Sequence, residues 1–119
     1  MALTRYLTEM GMGADIHGRD YTKAAKRAVS DAIRHSSLNF FRALDKSPDD
    51  MKITVRLGVA EPNKVDTDAV AAELPYGSVS VECVLGGLDV PAASDHTPGS
   101  AMGDTIVLAN AAVIVCFDE

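Results

Sequence analysis

The residues best suited to chemistry lie in one short stretch, Gly11-Met12-Gly13-Ala14-Asp15-Ile16-His17-Gly18-Arg19-Asp20-Tyr21-Thr22-Lys23. Asp15 and His17 stand two apart, and in extended backbone they point to the same side. A carboxylate beside an imidazole sets its tautomer and raises its basicity, as an acid–base pair requires. On this reading His17 is the catalytic acid or base and Asp15 orients it. The same two groups can also supply part of a metal site, with His96 or Glu82 joining from elsewhere in the fold.

Three glycines in eight residues, Gly11, Gly13 and Gly18, are expected to break regular pairing and permit positive φ. A helix is expected to start near Asp20 or Thr22, either of which can cap exposed backbone N–H groups. Its free N–H groups and partial positive charge then face back toward the turn. With Arg19, Asp20 and Lys23 alongside, and backbone N–H groups around Gly11, Gly13 and Gly18, the stretch reads as a pocket for a carboxylate or phosphate. The plainer reading of an Asp-x-His pair in a loop is a hydrogen-bonded turn, and spacing alone favours it.

Other chemistries find less support. The spacing of Gly11, Gly13 and Gly18 does not fit the G-x-G-x-x-G of dinucleotide binding, and no P-loop, G-x-S-x-G or H-E-x-x-H occurs. Glu9 and Glu82 read as solvated strand residues. Asn110 interrupts an apolar strand, and a buried Asn needs partners, so it is expected to bind backbone across a subunit contact. Arg56 projects from the polar side of its strand. Cys83 and Cys116 form no C-x-x-C and sit in apolar runs, where they read as small buried hydrophobes of a reducing compartment.

The octad Gly11 to Gly18 resembles the G-x-G-x-D-x-H-G signature of a small family of uncharacterised conserved hypothetical proteins from bacteria, with relatives in plants and fungi. The continuation Asp20-Tyr21-Thr22-Lys23-Ala24-Ala25 and the overall length are similar to that family too. The resemblance assigns no reaction. It implies only that Asp15, His17 and the glycines form a functional segment.

Several elements must position these residues. Residues 3–10 read as a first strand. Ala24, Ala28 and Ala32, with Ala25, Val29 and Ile33 in the next row, make one apolar stripe at helical period. A stripe made mostly of alanine lets its helix lie close against a sheet. Residues 38–44 read as a second short helix. Residues 51–60 alternate as a strand, Asp66 or Thr67 caps a short helix through Leu74, and residues 78–85 alternate again. Residues 88–103 carry no periodicity, and such a loop is often functional. Residues 105–117 are nearly all apolar and read as a central strand or one covered by a neighbouring subunit. The order β-α-β-α-β-β predicts one α+β domain over residues 1–119. It is expected to be a two-layer sandwich with about four strands in a mixed sheet and two helices on one face, the last two strands pairing as a wide hairpin.

Composition sets the remaining bounds. The 119 residues are 47% hydrophobic and 24% charged, which excludes a disordered chain. A formal charge of −6 argues against nucleic acid or an anionic membrane as partner. There is no apolar run of about 20 residues and no signal-peptide layout at the start, so the expected location is the cytoplasm. Aromatic residues make up only 5% and Trp is absent, so a shared core in a homo-oligomer is expected. The leading functional expectation is a protein that binds a small polar or anionic metabolite at residues 11–23, with His17 and Asp15 available for acid–base catalysis. Its rivals are a non-catalytic homo-oligomeric binding or assembly module and a metal-dependent hydrolase or lyase. The sequence specifies no cofactor.

Overall fold

Alternation of side chains builds the sheet. The computed structural model describes residues 2–34, 45–91 and 105–118. Five strands form, β1 (Leu3–Asp15), β2 (Lys52–Val59), β3 (Ser78–Leu85), β4 (Leu88–Pro91) and β5 (Thr105–Asp118), with helices α1 (Tyr21–Arg34) and α2 (Thr67–Ala71). The long β5 is central. It pairs antiparallel with β1 on one side and with β2 on the other, and β3 adds to β2 in parallel. Beyond the end of β2, β4 takes its place beside β5. The sheet is therefore mixed, as the sequence predicts.

Two pairing expectations are corrected. The wide hairpin of β3 with the last strand does not form, because β3 follows a helical crossover and lies parallel to β2. The partner that β5 reaches along the chain is β4, a four-residue strand inside the stretch read as a loop. Residues 92–104, including His96, and the short helix expected at 38–44 lie outside the described residues.

One sheet face carries the core. On β5 the residues Val107, Ala109, Ala111, Val113, Val115 and Phe117 are buried, and on β2 so are Ile53, Val55, Leu57 and Val59. Helix α1 covers this face with Ala24, Ala25, Ala28, Val29 and Ala32, while α2 adds Val70. Asp66 caps α2, its carboxylate accepting the Ala69 N–H at 3.2 Å. The helix stops at Ala71, short of the expected Leu74. No helix among the described residues lies over the opposite sheet face. Among the described residues no helix is long and apolar enough to cross a membrane.

The expectation that Gly11 and Gly13 break pairing is also corrected. Both lie inside β1, opposite Ala111 and Ala109. Their role is to leave room. A Cβ on Gly11 would lie 2.6 Å from the Ala28 carbonyl oxygen, and one on Gly13 would lie 2.6 Å from the Arg27 carbonyl carbon. The helix backbone thus rests directly on the strand. At that distance Asp31 accepts the Met12 N–H at 3.0 Å and Arg27 donates to the Ala14 carbonyl at 2.6 Å. Side chains of α1 therefore pair with the outer edge of β1, beyond which no strand lies among the described residues.

Gly13→Ala should force α1 off β1 and cost about 2–3 kcal/mol, the range for overpacking a close contact. The fall in urea midpoint measures it. Thr8→Ala, at an exposed position of the same strand, should stay within about 0.5 kcal/mol.

Candidate functional site

β1 ends at Asp15 and residues 16–18 bend. Asp15 and His17 are therefore not in continuous extended backbone. The Asp15 side chain turns inward and is 4% exposed, whereas His17 is exposed. Asp15 Oδ2 accepts the Asp20 N–H at 3.0 Å. Its Oδ1 lies 3.8 Å from both Lys23 Nζ and the Arg27 guanidinium. Asp20 Oδ1 accepts the Lys23 N–H at 3.0 Å and caps α1. Two aspartates thus set the start of the helix, one tying the turn to it and one capping it.

The turn itself is left-handed at two successive residues, Gly18 at φ 93° and Arg19 at φ 51°. Glycine takes that backbone freely and arginine does not. The exposed residues of the turn are Ile16, His17, Gly18, Arg19 and Asp20, with Lys23 one helical turn on. Gly11 and Gly13, by contrast, sit beneath α1 and away from this tip.

A second group of side chains meets the turn from the far side. Tyr21 heads the alanine stripe and is 3% exposed. Its hydroxyl lies 3.0 Å from Glu61 Oε2 and also bonds Asp89 on β4. The Arg19 guanidinium is 3.5 Å from Glu61 and 3.9 Å from Asp89. Lys64 reaches Glu61 at 3.2 Å. Burial, then the Asp89 bond, pushes the Tyr21 phenol up to about 12. Lys64 first, and then Tyr21, pulls Glu61 below the usual carboxylate range. Asp89 Oδ1 is buried with no hydrogen-bond partner among the described residues.

Sequence reasoning missed Tyr21, Glu61 and Asp89, which are 40 and 68 residues apart from Tyr21 in the chain. One signal was present. A tyrosine at the head of a buried apolar stripe needs a partner for its hydroxyl.

Other candidates fall elsewhere. Glu82 lies on the helix-free face and pairs with Arg56 at 2.7 Å, away from the buried end of β1 that carries Asp15. Among the described residues no group of three or more His, Cys, Asp or Glu side chains could hold a metal ion. Glu9 is not simply solvated. It is half-buried on the helix side and borders a cavity of about 120 Å³ walled by Leu7, Ile33, Met51, Val113 and Val115. Neither Asp15 nor His17 lines that cavity. Asn110 is exposed on the helix-free face rather than buried. The cysteines are free and half-buried on opposite faces, and burial pushes the Cys83 thiol up.

Residues 5–115 match the model of a family described as "Conserved hypothetical protein (Lin0512_fam)". The chain belongs to this family. No curated protein matches it. Its fold is similar to a crystal structure from Nostoc punctiforme described as an FtsZ-like protein of unknown function. The two chains are 36% identical with a TM-score of 0.85, over 100% of this chain and 99% of the other. Family membership therefore spans the elements that build the turn, from β1 through β5.

The raised Tyr21 phenol fixes the sign of one pH effect. Its folded pKa of about 12 lies above the ordinary 10.0, so the fold favours the protonated form. That contribution is complete below pH 10 and is lost as pH rises through about 12. The stability gap between the native protein and Tyr21→Phe should shrink between pH 10 and 12, as read from paired urea midpoints.

Proposed function

We propose that the chain binds a small anionic metabolite at the exposed turn formed by His17, Gly18, Arg19, Asp20 and Lys23. The observation that carries this reading is Arg19. A non-glycine residue in left-handed backbone costs about 1 kcal/mol or more, and such strain tends to be kept where it serves a site. Here it presents a half-exposed guanidinium beside the α1 N-terminus, where anions are favoured. Contacts to Glu61 and Asp89 at 3.5 and 3.9 Å restrain one edge of that group. A planar guanidinium has five donors, so others remain for a carboxylate or phosphate.

In this reading the residues of the turn divide their work. Arg19 and Lys23 supply charge. His17 is the group able to exchange a proton with a bound ligand. Asp15 holds the turn in place through the Asp20 N–H and does not meet the ligand. Gly11 and Gly13 act at a distance, by seating α1.

Isothermal titration with inorganic phosphate, and then with small phosphorylated and carboxylated metabolites, tests the site. Arg19→Ala and His17→Ala should each weaken binding about tenfold while leaving the melting temperature nearly unchanged. Asp15→Asn should instead cost about 1–3 kcal/mol of stability, because it disturbs a buried hydrogen-bonded charge. Equal binding by Arg19→Ala and the native protein would remove the proposal.

A second reading, homo-oligomeric assembly, is favoured by the helix-free sheet face. Met10 and Met12 on β1 are 65% and 56% exposed there, and Leu88 and Val90 on β4 stand beside Leu108 and Ile106. Contiguous apolar surface of this kind marks a contact site. Light scattering at micromolar concentration should report more than one copy, and Met10→Glu with Met12→Glu should shift it to a monomer. A native monomer at that concentration rejects the reading.

A further inference from the structure

The sheet face opposite α1 holds a hollow that lies away from the turn and shares only Met10 with the assembly reading. It spans four strands, from Met10 on β1, through Asn110 and Ala112 on β5 and Arg56 and Gly58 on β2, to Val84 on β3. Its volume is about 200 Å³. The floor is made of two glycines. A Cβ on Gly58 would collide with the Asn110 amide oxygen, and one on Gly86 would lie 2.9 Å from the Gly58 Cα. The missing side chain at Gly58 lets the Asn110 amide fold down onto the sheet, and the missing one at Gly86 lets its backbone lie close to Gly58.

Two polar groups converge on this floor. Asn110 breaks an otherwise apolar strand, and its side-chain amide makes no hydrogen bond to a described residue. Arg56, two residues before Gly58, gives one guanidinium nitrogen to Glu82 at 2.7 Å and is 54% exposed. The other donors of its planar fork are not used by Glu82. An apolar wall with a few convergent polar groups is the usual make-up of a small-molecule site. The polar groups here are one cation and one amide, which presents both a donor and an acceptor.

We infer that this hollow binds a small monocarboxylate. Its carboxylate meets the free edge of Arg56, as guanidinium and carboxylate geometry favours. A ring or short chain lies against Met10 and Val84, and Asn110 bonds the carboxylate or a neighbouring polar atom. At about 200 Å³ and open on one side, the hollow suits a small ring or short chain rather than a large ligand. Benzoate is the probe.

Binding is followed by NMR on the full chain with benzoate up to roughly 10 mM, which covers the millimolar affinities expected of so small a ligand. Benzoate should move the Met10 methyl and Asn110 side-chain amide resonances. Arg56→Met and Asn110→Ala should each weaken it about tenfold, the scale of one lost charge-assisted or amide hydrogen bond. Uncharged benzamide should bind the native protein more weakly than benzoate, and Arg56→Met should erase that preference. Should Arg56→Met fail to fold, Arg56→Lys keeps the charge without the fork and should lose several-fold. Benzoate should move the Met10 and Asn110 resonances of the double variant His17→Ala, Arg19→Ala at the concentration that moves those of the native protein, even where it no longer moves the turn, which separates the hollow from the turn. No movement at Met10 and Asn110, movement only at the turn, or native affinity in both Arg56 variants overturns the inference.

Discussion

The structure depends on a contact at which two strand residues contribute no side chain. Gly11 and Gly13 let the backbone of α1 rest on β1, and the neighbouring interactions follow from that distance. Asp31 and Arg27 reach the outer edge of the strand only because the helix lies so near. Asp15, at the end of the same strand, then meets the first turn of the same helix. Tyr21 is delivered over β4 and the 62–64 turn, where Glu61 and Asp89 receive its hydroxyl. A Cβ at either glycine would separate strand and helix by more than the hydrogen bonds can span.

That geometry divides the segment 11–18 into two kinds of residue. Gly11, Gly13 and Asp15 are architectural, since they are covered, paired or tied. His17 and Gly18 are on the surface, followed by Arg19. A run of special residues that reads as one motif is thus a set of fittings with a short exposed tip. The Asp15 carboxylate ties the turn to the helix, as the plainer reading expects of it, and His17 lies at the surface.

Local periodicity made much of the fold legible. The alternation in β2 and β3 located both to within a residue, the alanine stripe gave α1 and its closeness to the sheet, and the apolar run gave β5 as a central strand. What could not be read was distance along the chain. Nothing local in β5 says that it enters between β1 and β2, and nothing in Val79 or Val81 says that their strand pairs with β2 and leaves β5 alone. Glycine misled for a related reason. Its absence of a side chain serves turns and close packing alike, and the helix that decides between them lies 14 or more residues away, at Arg27, Ala28 and Ala32. The Tyr21 cluster was hidden because Glu61 and Asp89 look like ordinary surface carboxylates until the fold brings them to one phenol. Asn110 was noticed for its oddity, but the glycine beneath it, Gly58, comes from β2, and Gly86 beside that comes from the connection after β3.

The central place of β5 has a consequence for how the molecule is made. β1 and β2 each find their neighbour in a strand synthesised after both, and Leu3 waits for Asp118. Until that ribbon arrives, β1 has no partner strand and β2 has only β3, so the nascent chain leaves strand edges open to whatever surrounds it. Such long-range closure slows folding and leaves edges open in the interval. The helix lying along β1 serves the newborn polypeptide as a guard, occupying in advance a border where a stranger's strand could otherwise attach.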